Sequence, residues 1–170
     1  VELQPHLVGA LLELRPLRLE DWDELFAVAS DPAIWEQHPL RERYKEALFR
    51  DFFNGGLKSG GAFVAIDRKT GKIIGSSRYA DYDPEKREVE IGWTFLATSY
   101  WGGVYNAEMK RMMLDHAFQF VDTVVLNVGV SNLRSQKAVE KIGGVVRGRK
   151  DVDFRGATLE HLVYEIKRVR

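Results

Sequence analysis

The sequence predicts an α+β fold with a mixed sheet in one domain spanning residues 1–170. Three observations predict it. Strand-patterned segments follow one another through the middle of the chain, with turn residues between them. Helical and strand periods then alternate, and two strand segments close the chain. A length of 170 residues fits one domain, and 45% hydrophobic residues suffice for a core without staples.

Leu11 to Pro16 reads as the first strand. Leu19-Glu20-Asp21-Trp22 supplies acidic residues at a helix start, Leu25, Phe26 and Val28 give that helix an apolar side, and Asp31-Pro32 stops it. Tyr44 to Phe53 reads as a second helix, ended by Asn54-Gly55. Ala62 to Asp67 and Ile73 to Tyr82 read as hairpin partners around Thr70-Gly71, and Asp83-Pro84 makes the next turn. Arg87 to Leu96 alternates with period two, with Val89, Ile91, Trp93 and Phe95 on one face and Glu88, Glu90, Gly92 and Thr94 on the other. Asn106 to Phe120 has helical spacing, with Met109, Met112, Met113, Ala117 and Phe120 on one side. Thr123 to Val128 is rich in β-branched residues and reads as a strand. Ser131 or Asn132 can cap a helix running to Ile142, stopped by Gly143-Gly144. Val145 to Phe154 and Thr158 to Ile166 read as strands around a turn at Arg155-Gly156. No linker, repeat or low-complexity tract divides the chain.

Composition narrows the function classes. Lys plus Arg and Asp plus Glu are 25 each, so no basic excess marks a duplex-binding protein, and no nucleic-acid partner is expected. Cysteine is absent, which excludes disulfides, thiolate metal sites and a cysteine nucleophile. The apolar stretch Leu7 to Leu12 is far short of the roughly 20 residues of a spanning helix and lacks the flanks of a secretory signal. No membrane partner is expected, and a cytoplasmic location is. His6, His38, His116 and His161 share no metal-ligand spacing, so no metal is expected. His116 adjoins the apolar side of its helix and reads as an interior residue. Asp81-x-Asp83-x-Glu85 mimics a calcium loop but lacks its Gly and distal Glu, so it reads as a turn. Arg147, Arg149 and Lys150 read as a solvated strand edge, and Trp22, Trp35, Trp93 and Trp101 as packing.

Two segments carry chemistry. Thr94 to Glu108 runs from a strand through Gly102-Gly103 into a helix. Outward-facing N–H groups at a helix start attract an anion, and glycine permits close approach. The spacing fits neither the dinucleotide-binding fingerprint nor the P-loop. In Leu126 to Gly144, Asn132 and Ser135 lie three apart on a helix face. Read alone, Asn132 is a cap and Ser135 a surface residue.

Together these segments resemble the GNAT superfamily of acyl-CoA-dependent N-acetyltransferases, most nearly its RimJ/RimL-type branch. The resemblance rests on the element order, on Leu14-Arg15-Pro16-Leu17 with Glu20-Asp21, on Tyr100-Trp101-Gly102-Gly103-Val104-Tyr105-Asn106-Ala107-Glu108, and on Asn132-Leu133-Arg134-Ser135 through Gly143. It covers about Leu11 to Ile166. It implies the GNAT fold, a mixed, mostly antiparallel sheet of roughly six to seven strands flanked by about four helices. It also implies acetyl-CoA as cosubstrate, no metal, and direct transfer of acetyl to a primary amine, with a protein N-terminal α-amine as the first acceptor and a small amine (polyamine, aminoglycoside or amino acid) as the second. A non-catalytic acyl-CoA-binding module is the reading from another class. The family's frequent dimers allow a homodimer here.

Residue by residue, the resemblance puts the pyrophosphate on the amides of Gly102, Gly103, Val104, Tyr105 and Asn106. It puts the pantetheine arm along Phe95 and Leu96 and against Asn132, with the thioester carbonyl polarised by a backbone N–H of that strand. Ser135 would protonate the departing thiolate, with Tyr105 the alternative donor. Asp153, Glu90 and Glu88 compete as base, with Asp153 placed first. The segment Ala33 to Leu40 would shape the acceptor pocket through Trp35 and His38, with Arg78, Tyr79 and Tyr82 facing the same cleft. The chain departs from the family pattern at Ser99 and Val104. A branched Val104 would crowd a phosphate unless the loop shifts.

Overall fold

The computed structural model describes residues 1–154 and 156–169. Eight strands form one sheet: β1 (Leu7–Val8), β2 (Leu12–Pro16), β3 (Ala62–Asp67), β4 (Ile73–Asp83), β5 (Glu88–Leu96), β6 (Thr123–Gly129), β7 (Val145–Phe154) and β8 (Ala157–Lys167). Four α-helices accompany them: α1 (Trp22–Ala29), α2 (Glu46–Ser59), α3 (Val104–Ala117) and α4 (Leu133–Lys141). The spatial order is β1-β2-β3-β4-β5-β6-β8-β7. Every pairing is antiparallel except β5 with β6, which α3 joins as a crossover.

The α+β class, the mixed sheet and the four helices are as the sequence predicts. The sheet has eight strands because β1 adds a short edge to β2 through Leu7–Leu14 and Val8–Glu13. That edge is held by Glu108 on α3. Its buried carboxylate accepts the N–H groups of Ala10, Leu11 and Leu12 at 2.8–3.1 Å.

The second helix differs from expectation at both ends. It begins at Glu46 and runs through Asn54-Gly55-Gly56 to Ser59. Gly56 is inside it because the helix crosses the sheet closely there: a Cβ on Gly56 would fall 2.9 Å from Leu17 Cδ2. The true stop is Gly60, at φ 70°. The third helix begins two residues earlier than expected, at Val104, and ends at Ala117. The expected turn at Arg155-Gly156 lies partly outside the described residues, since Arg155 is not among them.

The sheet separates two cores. On one face Leu12, Leu14, Phe63, Val89, Ile91 and Leu126 pack against Met109, Met113 and Ala117 of α3 and Val139 of α4. On the other, Val64, Ile66, Ile73 and Phe95 pack against Leu25 of α1 and against Phe49, Phe52 and Phe53 of α2. Among the described residues no helix is long and apolar enough to cross a membrane.

Candidate active site

The site begins where the sheet comes apart. β5 and β6 pair only through Glu88–Thr123, Val89–Val124 and Glu90–Val125. Beyond Glu90 the two strands diverge, although β6 stays paired with β8 as far as Gly129. Ile91–Leu96 therefore faces Leu126–Gly129 across a gap. The gap belongs to a cleft of about 790 Å³ that reaches both faces of the sheet. A bulge sits on its wall. Two residue steps on β4, Arg78 to Ser76, match three on β5, Gly92 to Phe95, and Trp93 adopts φ 53°. Gly92, Trp93 and Thr94 at the bulge all border the cleft.

On the α3/α4 face the cleft is bordered by Gly102, Gly103, Asn106, Lys110, Asn132 and Ser135. Gly102 and Gly103 take φ 120° and 99°, and Gly103 starts α3 without a side-chain cap. The first N–H groups of α3 thus remain available to an anion. The start of α4 differs: there Asn132 Oδ1 accepts the Ser135 N–H at 3.3 Å. Asn132 is a cap, as its residue type suggests, and its amide nitrogen is left for the cleft. Ser135 is half-buried. Trp101 donates to the Leu96 carbonyl at 3.0 Å, and the Arg134 guanidinium lies 3.8 Å from its ring centre.

Val104 is 66% exposed and lies outside the lining of the cleft. The Tyr105 ring stands edge-on to Tyr100 at 4.8 Å, and neither Val104 nor Tyr105 borders the cleft. Ser135, and not Tyr105, is the hydroxyl brought there. Phe95 and Leu96 line it as the sequence suggests.

On the α1/α2 face the cleft is bordered by Ile34, Trp35, His38, Arg43, Phe52 and Trp93. The linker from α1 to α2 crosses the end of β6. Ser131 Oγ donates to the Gln37 carbonyl at 3.1 Å, and the Arg134 N–H donates to Gln37 Oε1 at 3.0 Å. That crossing brings Trp35 and His38 to the cleft. The His38 ring accepts the Leu40 N–H on Nδ1 at 2.9 Å. Burial, reinforced by Arg43 and His161, pushes it down to about 3, so it stays neutral with its proton on Nε2. Arg78, expected to face the cleft, is buried beneath this region between Phe52 and Trp93 and does not itself border the cleft. Tyr79 is buried in the other core, and Tyr82 packs against Phe120. Neither borders the cleft: alternation along β4 turns Tyr79 away from the face of Arg78, and the register shift between Ala80 and Asp83, with Asp81 at φ 52°, puts Tyr82 against the same core as Tyr79.

The three carboxylates expected to compete as base separate cleanly. Asp153 is exposed near the tip of the β7–β8 hairpin, accepts from Thr158 Oγ1 at 3.2 Å, and does not border the cleft. Glu88 is held by Arg147 at 2.7 Å, which keeps its carboxyl below the ordinary range. Glu90 is 8% exposed and forms no ion pair among the described residues. Its carboxylate lies beside Gly92 on the cleft wall, 3.1 Å from where a Cβ there would stand. Burial pushes it up, to about 7, the Asn127 side chain opposing and Asp81 reinforcing that rise. Glu90 lines not the cleft itself but a second, smaller cavity of about 360 Å³, with Asn127, Arg147 and Lys150. Asn127 borders both cavities, and its Oδ1 is buried without a partner.

Three cleft residues escaped the sequence. Lys110 is 5% exposed, its Nζ donates to Thr94 Oγ1 at 2.5 Å, and burial lowers it to about 7. A signal existed: Asn106, Lys110, Met113 and Ala117 form one helical stripe, so a charge stood where an apolar residue was due. Arg43 and Asn127 gave none, because a linker and a strand gap place them. Among the described residues no cluster of His, Asp and Glu could hold a metal.

A family model for the acetyltransferase (GNAT) domain matches residues 12–145. No match was found among curated protein sequences. Solved structures similar to the chain include a GCN5-related N-acetyltransferase from Brucella melitensis, at 20% identity and TM-score 0.84, covering 96% of this chain and 79% of that one. Another is a spermidine N-acetyltransferase from Vibrio cholerae, in complex with CoA and spermine, at 19% identity and TM-score 0.71, covering 94% and 96%. A third, from Vibrio cholerae and proposed as a ribosomal-protein-serine acetyltransferase, aligns at 13% identity and TM-score 0.78, covering 99% and 100%.

Proposed function

This chain belongs to the GNAT acetyltransferase family, and from that premise we propose that it moves an acetyl group from acetyl-CoA directly to a primary amine, with both bound at once in the cleft. The observation that carries the reading is the gap between β5 and β6. It joins an uncapped helix start on one face of the sheet to a buried carboxylate, without an ion pair among the described residues, beside the other.

The residues present fit the cosubstrate. The first amides of α3, with Asn106 beside them, suit its pyrophosphate. The open edge of Ile91–Leu96 offers backbone partners to a chain bearing amides, as a further strand would. When bound, acetyl-CoA supplies an acetyl group already activated as a thioester.

The protein's part is positioning and proton handling. Glu90 takes a proton from the acceptor ammonium, directly or through water, so that the nitrogen can attack. The strand bulge presents a backbone N–H where charge gathers on the carbonyl oxygen. Ser135 donates a proton to the departing thiolate. With no cysteine in the chain, no acyl-cysteine stage intervenes. Asp153, first among the candidate bases by sequence, gives way to Glu90 because it is exposed on the hairpin, whereas Glu90 is buried beside Gly92 behind the cleft wall.

Initial rates with both substrates varied test the direct route. The proposal expects double-reciprocal lines that intersect; parallel lines would mean an acylated enzyme and overturn it.

A further inference from the structure

The acceptor side of the cleft is built from hydrogen-bond donors. The Arg43 guanidinium lies 5.6 Å from the Trp35 ring centre and 5.1 Å from that of Phe52. Arg78 lies 5.5 Å from the Phe52 ring and 4.3 Å from Trp93. Neither forms an ion pair among the described residues. Arg78 donates one Nη2 bond to the Phe52 carbonyl at 3.0 Å, and its buried Nε has no partner. His38 adds an Nε2–H and His161 borders the same space.

Burial lowers both arginines to about 10, with Arg78 adding to the effect on Arg43, so both remain cationic at neutral pH. The Arg43 guanidinium, held in aromatic surroundings beside a second cation and without an anion, is costly, and the cost is relieved when a ligand brings the missing charge. The cosubstrate's phosphates do not fill that role, because the uncapped start of α3 lies on the opposite face of the sheet. Glu90, the acid whose charge Arg78 feels, completes a dipole: a carboxylate for an ammonium and a guanidinium for an acid.

Resting on the acetyl-transfer reading, we propose that the acceptor is a small primary amine carrying an acid group, a carboxylate or a phosphate, which docks on Arg43 while its amine faces Glu90. The planar fork of a guanidinium suits such an oxyanion. A polyamine would set its second ammonium against Arg43 and Arg78.

The test measures thiol release from acetyl-CoA with matched acceptors: an α-amino acid against its amide, phosphoethanolamine against ethanolamine, and spermidine. A peptide lacking acidic groups, with an amidated C-terminus, completes the set. The proposal expects at least one acid-bearing member of a pair to exceed its neutral partner tenfold or more in kcat/KM. Which pair does so distinguishes carboxylate from phosphate. Arg43→Gln should bring that ratio close to one and Arg43→Lys should keep part of it. Equal use within both pairs, or better use of spermidine or the neutral peptide, would overturn the proposal.

If acetyl-CoA binds but no amine is acetylated, the transfer reading fails separately, and binding judges the acid site. Calorimetric titration with an N-acetyl amino acid and with O-phosphoethanolamine, each against its neutral counterpart and with CoA present, should then show tighter binding of an acid form that Arg43→Gln removes. Equal or absent binding would overturn the acid site as well.

Discussion

Burial leaves the Glu90 carboxyl partly protonated at neutral pH, and this has consequences for both rate and stability. As a base it works only when ionised, so kcat/KM should rise with pH through a limb near 7. Glu90→Gln should lower kcat/KM by roughly 10²- to 10⁴-fold and remove that limb. Asp153→Asn should change neither, and a large loss there would return the base role to the hairpin. For stability, a carboxyl raised from 4.5 to about 7 favours the folded state fully below its unfolded value, and that contribution is lost as pH rises toward 7. Lys110 runs the other way. An amine lowered from 10.5 to about 7 costs stability in full below 7, and the cost is relieved as pH climbs toward 10.5. Lys110→Met should therefore raise Tm at pH 6–7 and gain progressively less toward pH 10; a gain that does not vary with pH would contradict this account of Lys110. Ser135→Ala should lower kcat while acetyl-CoA affinity, read by calorimetry, stays near that of the wild type.

At the scale of elements, the helix start and the strand gap decide where chemistry can occur. The start of α3 was legible because Gly102-Gly103 sits between a strand pattern and a helical one. The gap was not, since strand divergence depends on what each strand pairs with on its other side. Asn127 shows this: it reads as one polar residue in a β-branched strand, yet it stands where the two cavities meet. The end of α2 was misjudged for a related reason. Asn54-Gly55-Gly56 has stop-signal composition, but close packing against Leu17 and Arg78 favours a glycine at position 56 inside the helix. Glu108 joins elements that the sequence left separate. Its carboxylate holds three N–H groups of the β1–β2 turn against α3, so Glu108→Ala should destabilise the protein by about 2–4 kcal/mol in urea unfolding. A loss under 0.5 kcal/mol, the size of an ordinary surface change, would show the turn holds without it.

At the scale of the whole molecule, the proposed transfer sets its two substrates on opposite sides of one sheet, meeting through the gap between β5 and β6. The class of fold was readable because alternation and turn residues are local signals. Ser135, Asn132 and the loop glycines border the cleft, as the family resemblance implies, whereas spacing alone reads Asn132 as a cap and Ser135 as a surface residue. Arg43 at the cleft and Asp153 away from it are not readable in the sequence, because the approach of a linker and the reach of a hairpin are properties of the assembled chain. The account depends most on acetyl-CoA entering the gap. The most direct measurement is a calorimetric titration of the protein with acetyl-CoA, with free CoA for comparison. The account predicts saturable one-to-one binding. No detectable binding at near-millimolar ligand would contradict it.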